Sequence, residues 1–379
     1  MPGTTLRVAL DATPLVTLGG QRSGVGTYVA GLLQALAQRD DLDAVAYALT
    51  FRGRRVWRDV LPTGVRPVGV AVPARLVRAA WLRSASPPLE WFAGRADVAH
   101  GTSFVAPPVR RGGTVVTVHD LTPLRFPEMV EGDAAAFPAL IRAAVARGAF
   151  VHTPSRFVAD EVVELLGVPA DRVVAVAHGT PPLGDGDPAQ GRARAGTDRY
   201  VLAVGTVEPR KAYPDLVGAF AALAATDPHL GLVIAGRAGW GTVGLDRALA
   251  GLAPATRRRV RCTGWLADSD RDDLLAGAAA LAYPSRYEGF GLPPLEAMAA
   301  GVPVVATDAG SLPEVLGSAA TLVPVGDVDA LAGALAAALA LDGPARQAVT
   351  CAGRAHAASF TWTACADGHA ALYRRVAGR

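Results

Sequence analysis

Short apolar runs rich in branched residues recur along this chain, and helical patterns separate them. In the second half the runs fall at residues 200–204, 230–235, 260–263, 278–283, 302–307 and 320–323, with helical segments at 213–225, 268–276, 293–300 and 328–339. In the first half they fall at 6–11, 45–49, 96–100, 114–120, 150–155 and 172–177, with helical segments at 28–38 and 157–166. A near-continuous apolar strand is one buried on both faces. Alternation of such strands with helices predicts parallel sheets covered on both sides. Residues 181–198, dense in proline and glycine, divide the two series and have the composition of a linker. The expectation is an α/β chain of two parallel-sheet domains, residues 1–180 and 199–360, with a closing helix in residues 361–379. A length of 379 residues gives each domain enough chain for its own core.

Composition matters mainly for what it removes. A net charge of +3 gives no reason to expect nucleic acid as a partner. The charge is uneven: between Phe51 and Arg111 eleven arginines stand against Asp59, Glu90 and Asp97. That excess reads as a solvated basic surface, or as a face for an anionic membrane or acceptor. Residues 75–84 read as a basic amphipathic helix, packed on its own domain or lying at a membrane surface. The cysteines Cys262, Cys351 and Cys365 lack metal-ligand spacing and predict free thiols in a reducing compartment, with Cys262 in the core. No signal-like segment opens the sequence, and the longest apolar run, residues 328–341, is too short to span a bilayer. The expectation is a cytoplasmic protein, at most peripheral at the inner face of a membrane.

Residues 283–298 read Tyr-Pro-Ser-Arg-Tyr-Glu-Gly-Phe-Gly-Leu-Pro-Pro-Leu-Glu-Ala-Met, the end of a buried strand, a loop, then a helix opening on proline. Gly289 and Gly291 let backbone approach a ligand. The amides from Gly289 through Phe290 and Gly291 to Leu292 lie where a helix start favours an anion. Glu288 before the loop and Glu296 in the first turns can both face the helix mouth. Two carboxylates beside an anion site suit neutral hydroxyls, so the pattern predicts a sugar phosphate or nucleotide sugar.

Other strand tips add to it. Arg210 and Lys211 follow the strand at 200–204, and Lys211 is the only lysine in the chain. An ammonium suits point contact with a phosphate oxygen, and a guanidinium grips two. His119 and Asp120 close the strand at 114–120, where open α/β sheets place ligands. The glycine-rich turn at 19–27, containing Gly24 and Gly26, precedes a helix. It is a poor dinucleotide fingerprint, because Val29 holds the third glycine position and no acidic residue follows at the usual distance. Two D-x-D patterns, Asp185 with Asp187 and Asp268 with Asp270, are discounted as metal sites: one lies in the linker, and the other reads as aspartates capping a helix.

Glu288 and Glu296 resemble the E-x7-E motif of retaining GT-B glycosyltransferases of family 4. The segment Thr-Asp-Ala-Gly-Ser-Leu-Pro-Glu-Val at 307–315 and the Glu-Pro-Arg-Lys at 208–211 are similar to that family too. The resemblance implies two Rossmann-like domains facing across a cleft, the first serving the acceptor and the second the nucleotide-sugar donor, with the last helix returning to the first domain. It implies a hexosyltransferase moving a sugar from a nucleotide diphosphate sugar, GDP-mannose-like or UDP-linked, to a hydroxyl of a glycan, lipid-linked glycan or small metabolite. By resemblance Arg210 and Lys211 bind the diphosphate, Glu288 holds donor-sugar hydroxyls, Glu296 the ribose, and His119, Gly24 and Gly26 approach the donor. No metal or other cofactor is expected. One departure is Thr206, where some relatives carry a further arginine. A nucleotide-sugar epimerase and a non-catalytic nucleotide-sugar-binding protein are the alternatives.

Overall fold

In the computed structural model, which describes residues 5–16, 23–51, 53, 55–69 and 72–378, the chain divides into two compact units. Unit 1 comprises Met1–Gly179 and Phe360–Arg379, and unit 2 comprises Thr180–Ser359.

Among the described residues unit 1 holds seven parallel strands: β1 (Leu6–Asp11), β2 (Leu42–Tyr47), β3 (Arg66–Pro67), β4 (Val98–Gly101), β5 (Gly113–Thr117), β6 (Phe150–Thr153) and β7 (Val173–Ala175). Their order is β3-β2-β1-β4-β5-β6-β7. The helices Gly24–Leu36 and Trp362–Val376 cover one face, burying Leu32, Leu33 and Leu36 with Ala366, Ala370 and Leu372. Gly31 permits this packing, because a Cβ there would run into the Trp362 indole. Val77 and Trp81, one helical turn apart on Ala74–Trp81, join Leu89 and Phe92 on the opposite face. A helix at Phe137–Ala146 had no counterpart in the sequence reading.

Unit 2 holds six parallel strands: β8 (Arg199–Val204), β9 (Leu230–Ala235), β10 (Val260–Gly264), β11 (Ala280–Tyr283), β12 (Val304–Thr307) and β13 (Thr321–Val323). Their order, β10-β9-β8-β11-β12-β13, is doubly wound. Helices at Thr242–Ala250 and Gly343–Ala358 were also absent from the sequence reading.

Three expectations are corrected. Residues 181–198 are not a bare linker, because Pro188–Ala195 is a helix. The Asp187 carboxylate caps it by accepting from the Ala189 amide, a contact worth about 1 kcal/mol. Gly186 and Gly191 lie against the backbone of Asp272 and Asp273, so the segment packs into unit 2. Aspartate capping therefore occurs at Asp187 and not at Asp268, which is the first residue inside its helix and pairs with Arg271 at 3.2 Å. Cys262 is exposed, since β10 is the edge strand of its sheet.

Candidate active site

The order of the unit 2 sheet reverses direction at β8 and β11. Connections from these neighbours run to opposite sides, and ligands of open parallel sheets bind beyond the carboxyl ends of such a pair. The turn Pro209–Lys211 follows β8, and Glu288 follows β11. The structure brings them together. Lys211 Nζ donates to Glu288 Oε1 at 2.6 Å, and Arg210 donates to Glu288 Oε2 at 2.7 Å. Arg210 Nε also donates to Glu208 at 2.8 Å, and Lys211 Nζ to the Tyr283 hydroxyl at 2.6 Å. Glu208 and Tyr283 had no role in the sequence reading; their proximity to the cations comes from the β8–β11 pairing.

Burial would push the Glu288 carboxyl up, but Arg210 and Lys211 outweigh it and hold the group down at about 2. Burial draws Lys211 below the usual lysine range, with Glu288 opposing. Glu288 is thus an ionised buried carboxylate with a cation on each oxygen. A second anion that drew those cations away would release both oxygens for hydroxyl groups.

The backbone of Glu288 is fixed from the loop after β12. Ser311 Oγ donates to the carbonyls of Glu288, at 3.0 Å, and of Phe290, at 3.2 Å. Gly310 has φ +56, and a Cβ there would collide with the Glu288 carbonyl oxygen. Thr307 Oγ1 donates to the Ser285 carbonyl. The motif at 307–315 therefore acts as a brace for the loop that carries Glu288.

Gly291, at φ +111, precedes the helix Leu292–Ala300. The helix starts one residue earlier than the sequence reading placed it. Pro293 and Pro294 carry no amide hydrogen, so the donor-bearing residues at its mouth are Gly289, Phe290, Gly291 and Leu292. Glu296 is buried one turn further in, and its nearest cation is Arg271 at 3.8 Å. Burial raises Glu296 above the ordinary carboxyl range, Arg271 pulls it back in part, and Asp272 and Asp268 push it further up. The two motif glutamates therefore have separate cation partners, one set in the turn Pro209–Lys211 and the other in the helix Asp268–Gly277.

In unit 1 the sheet turns at β1 and β4. His119 follows β5 and donates from Nε2 to the Thr102 carbonyl at 2.9 Å, while Thr102 Oγ1 donates to the Asp11 carbonyl at 2.6 Å. A carbonyl only accepts, so Nε2 carries the proton and Nδ1 the lone pair. Burial lowers the His119 pKa, with the Thr102 bond and Asp120 opposing, and the ring is neutral. Thr102, not Asp120, orients it; the Asp120 carboxylate accepts from the Thr122 amide at 3.0 Å. Gly24 and Gly26 lie in the first turn of Gly24–Leu36 and not in a loop before it, because Ser23 caps the helix by accepting from the Gly26 amide at 3.2 Å. Residues 19–22 of that turn lie outside the described residues.

Behind His119 lies a polar network missed by the sequence reading. His100, His152 and His369 present ring nitrogens within 4.8 Å of one another. His369 Nδ1 donates to the Cys365 carbonyl at 2.8 Å, leaving Nε2 to accept from Tyr28 at 3.0 Å. His152 Nε2 donates to the Val176 carbonyl at 3.1 Å, leaving Nδ1 to accept from Thr117 at 2.9 Å. Thr117 then accepts from His100 Nε2 at 2.7 Å, and His100 Nδ1 accepts from Tyr373 at 2.7 Å. Every ring nitrogen of the trio has a partner with all three rings neutral. The network ties the helix Trp362–Val376 to the sheet.

Known proteins resemble this chain in sequence and in fold. A profile described as Glycosyltransferase Family 4 matches residues 22–182, and one described as Glycosyl transferases group 1 matches residues 198–340. The O-antigen chain mannosyltransferase B of Escherichia coli is 33% identical over 276 residues, covering 70% of this chain and 71% of that one. This chain belongs to glycosyltransferase family 4. Among other relatives of this family 4 enzyme, a D-inositol 3-phosphate glycosyltransferase of Mycolicibacterium paratuberculosis is 40% identical over 200 residues, half of this chain and 44% of that protein. The crystal structure of Anabaena HepE in complex with UDP-glucose superposes with a TM-score of 0.72 at 18% identity, covering 98% of this chain and 100% of that one. The family 4 chain has the GT-B fold of two parallel-sheet α/β units and is a hexosyltransferase.

Proposed function

We propose that this family 4 enzyme transfers a hexose, with retention at the anomeric carbon, from a nucleotide diphosphate sugar to an acceptor hydroxyl. GDP-mannose or a UDP-sugar is the donor, and a glycan, lipid-linked glycan or small metabolite is the acceptor. The observation that carries this reading is the Glu288 carboxylate between Arg210 and Lys211 at the turning point of the unit 2 sheet. The mannosyltransferase relative and the UDP-glucose complex support the donor class.

As the anomeric bond breaks, negative charge grows on the departing diphosphate. Arg210 and Lys211 stabilise it where it develops, helped by the amides at Gly291 and Leu292. Glu288 holds the donor-sugar hydroxyls and stabilises the cationic sugar. Glu296 holds the ribose. In unit 1, neutral His119 offers Nδ1 as an acceptor to a hydroxyl, and Gly24 and Gly26 offer helix backbone as further donor-binding groups. The transfer needs no divalent ion in this scheme. Asp187 is engaged as a cap, and Asp268 and Asp270 pair with Arg271 and Arg194.

The test is to supply GDP-mannose, UDP-glucose and a panel of acceptors, with and without EDTA. The expected result is nucleoside diphosphate release and an α-linked product, unaffected by EDTA. Conversion of donor alone to an epimer, or binding with neither transfer nor hydrolysis, sinks the reading.

Cytoplasmic location and contact with an anionic membrane face belong to the same proposal. Among the described residues no single helix is long and apolar enough to cross a membrane. Leu76 is 71% and Trp91 67% exposed, in a stretch where Arg75, Arg83 and Arg95 are exposed too. Arginines beside exposed large apolar side chains suit an anionic interface. Co-sedimentation with phosphatidylglycerol vesicles, but not phosphatidylcholine vesicles, is the expected result. Equal failure with both rules out the contact.

A further inference from the structure

The four charged side chains at the β8–β11 turning point balance one another. Arg210 and Lys211 stand against Glu208 and Glu288, so their formal charge is zero. Each cation has charged or hydroxyl partners of two kinds, and Arg210 also donates to the Tyr287 carbonyl at 3.4 Å. One kind is shared: Glu288 accepts from both. The other is private: Glu208 accepts from Arg210 Nε, and the Tyr283 hydroxyl accepts from Lys211 at 2.6 Å, with its ring 4.5 Å from Nζ. All of these groups are largely buried, so an added anion would meet strong fields from both signs of charge.

We propose that donor binding is an anion exchange: the diphosphate takes Arg210 and Lys211 from Glu288, while Glu208 and Tyr283 keep the two cations in place. This rests on the donor class given above and adds how the site receives it. A diphosphate brings at least two negative charges into a cluster whose positive charge is already paired. Its phosphate oxygens can replace the two Glu288 oxygens one for one, because each cation presents a separate N–H. Glu288 then loses both charged partners while buried; it keeps the neighbouring Ser285 and Tyr283 hydroxyls, and hydroxyls of the donor sugar can take the places the two cations left. The exchange thus couples diphosphate capture to the release of the carboxylate that meets the sugar. Tyr283 is a positioning residue here, acting through Lys211.

Calorimetric titration of GDP, UDP and ADP into the full chain and its Glu288→Gln variant tests the exchange. These probes lack the sugar, so they report the anion competition alone. An amide cannot hold two cations, and the nucleotide that binds the natural chain should bind Glu288→Gln about tenfold or more tightly. Equal or weaker binding by a folded variant overturns the exchange. If the natural chain binds none of the three, the donor reading itself fails and the exchange falls with it. Tyr283→Phe keeps the ring and removes the acceptor, so it gives a second measure if Glu288→Gln does not fold. Its donor KM should rise about three- to tenfold while kcat changes less. A lowered melting temperature with unchanged KM would make Tyr283 merely structural and overturn its part in the exchange.

Discussion

The Lys211 ammonium and the Glu288 carboxylate meet at 2.6 Å although 77 residues separate them. They come from the segments that follow the two strands about which the unit 2 sheet reverses, and both are buried. Removing either leaves the other buried with one charged partner fewer.

Lys211→Ala should lower donor kcat/KM by at least about tenfold, since it removes a charge-assisted contact to the diphosphate. It should also lower the melting temperature, because Glu288 keeps only Arg210. Steady-state kinetics on the folded fraction checks the first effect. Unchanged kinetics in a normally folded variant would place Lys211 outside the site.

Glu296 sits on the helix away from the cations that hold Glu288. If it grips the ribose, its contribution is the same in ground and transition states. Glu296→Ala should therefore raise donor KM more than it lowers kcat. The reverse pattern, measured over a donor titration, would mean that Glu296 acts at the reacting carbon.

Gly310→Ala tests the brace behind Glu288. The position has φ +56, and its Cβ would strike the Glu288 carbonyl oxygen. The left-handed conformation alone costs about 1 kcal/mol for a side chain. The Glu288 loop must also shift, so turnover should fall at least about tenfold while a folded protein remains. Native turnover in the variant would show that the loop position is not critical.

Acid should destabilise unit 1 before unit 2. His100, His119, His152, His178 and His369 are buried, and burial first of all pushes each below the ordinary histidine value, His369 to about 4. In the unfolded chain they titrate near 6.5, so the unfolded state takes up protons first. Their contribution is present above that pH and is lost as pH falls toward the folded values. For His369 alone this amounts to about 3 kcal/mol. Asp11, raised by burial to about 6, acts in the opposite sense and offsets part of the loss. Glu288, held at about 2, gives unit 2 a later window as pH falls from about 4.5. Two unfolding transitions should separate between pH 7 and 5 in calorimetry. A melting profile flat over that range would contradict the neutral network.

Much of the scaffold was legible in the sequence. Apolar runs marked twelve of the thirteen strands among the described residues, because burial on both faces is a property of consecutive residues. The short edge strand β3, Arg66–Pro67, carries no such signal, since both its residues are exposed. The helix Pro188–Ala195 was hidden because Pro and Gly also serve at helix ends: Asp187 and Pro188 open it and Gly196 closes it at φ +73. The site was partly legible. Spacing placed Glu288 before a helix and Glu296 on it, and Lys211 stood out as the single lysine.

By itself, then, the sequence determined where strands lie, though several of their ends fell two or three residues earlier than the apolar runs suggested, and which charged residues stand near those ends, for these follow from neighbours along the chain. Only the tertiary structure decided what each charge faces. The β8–β11 pairing sets Lys211 against Glu288, and the Thr102 carbonyl chooses the His119 tautomer. Three histidines drawn from distant segments, His100, His152 and His369, become one neutral, hydrogen-bonded cluster. These contacts span tens to hundreds of residues, and strand order, which no local pattern encodes, brings them within hydrogen-bond distance.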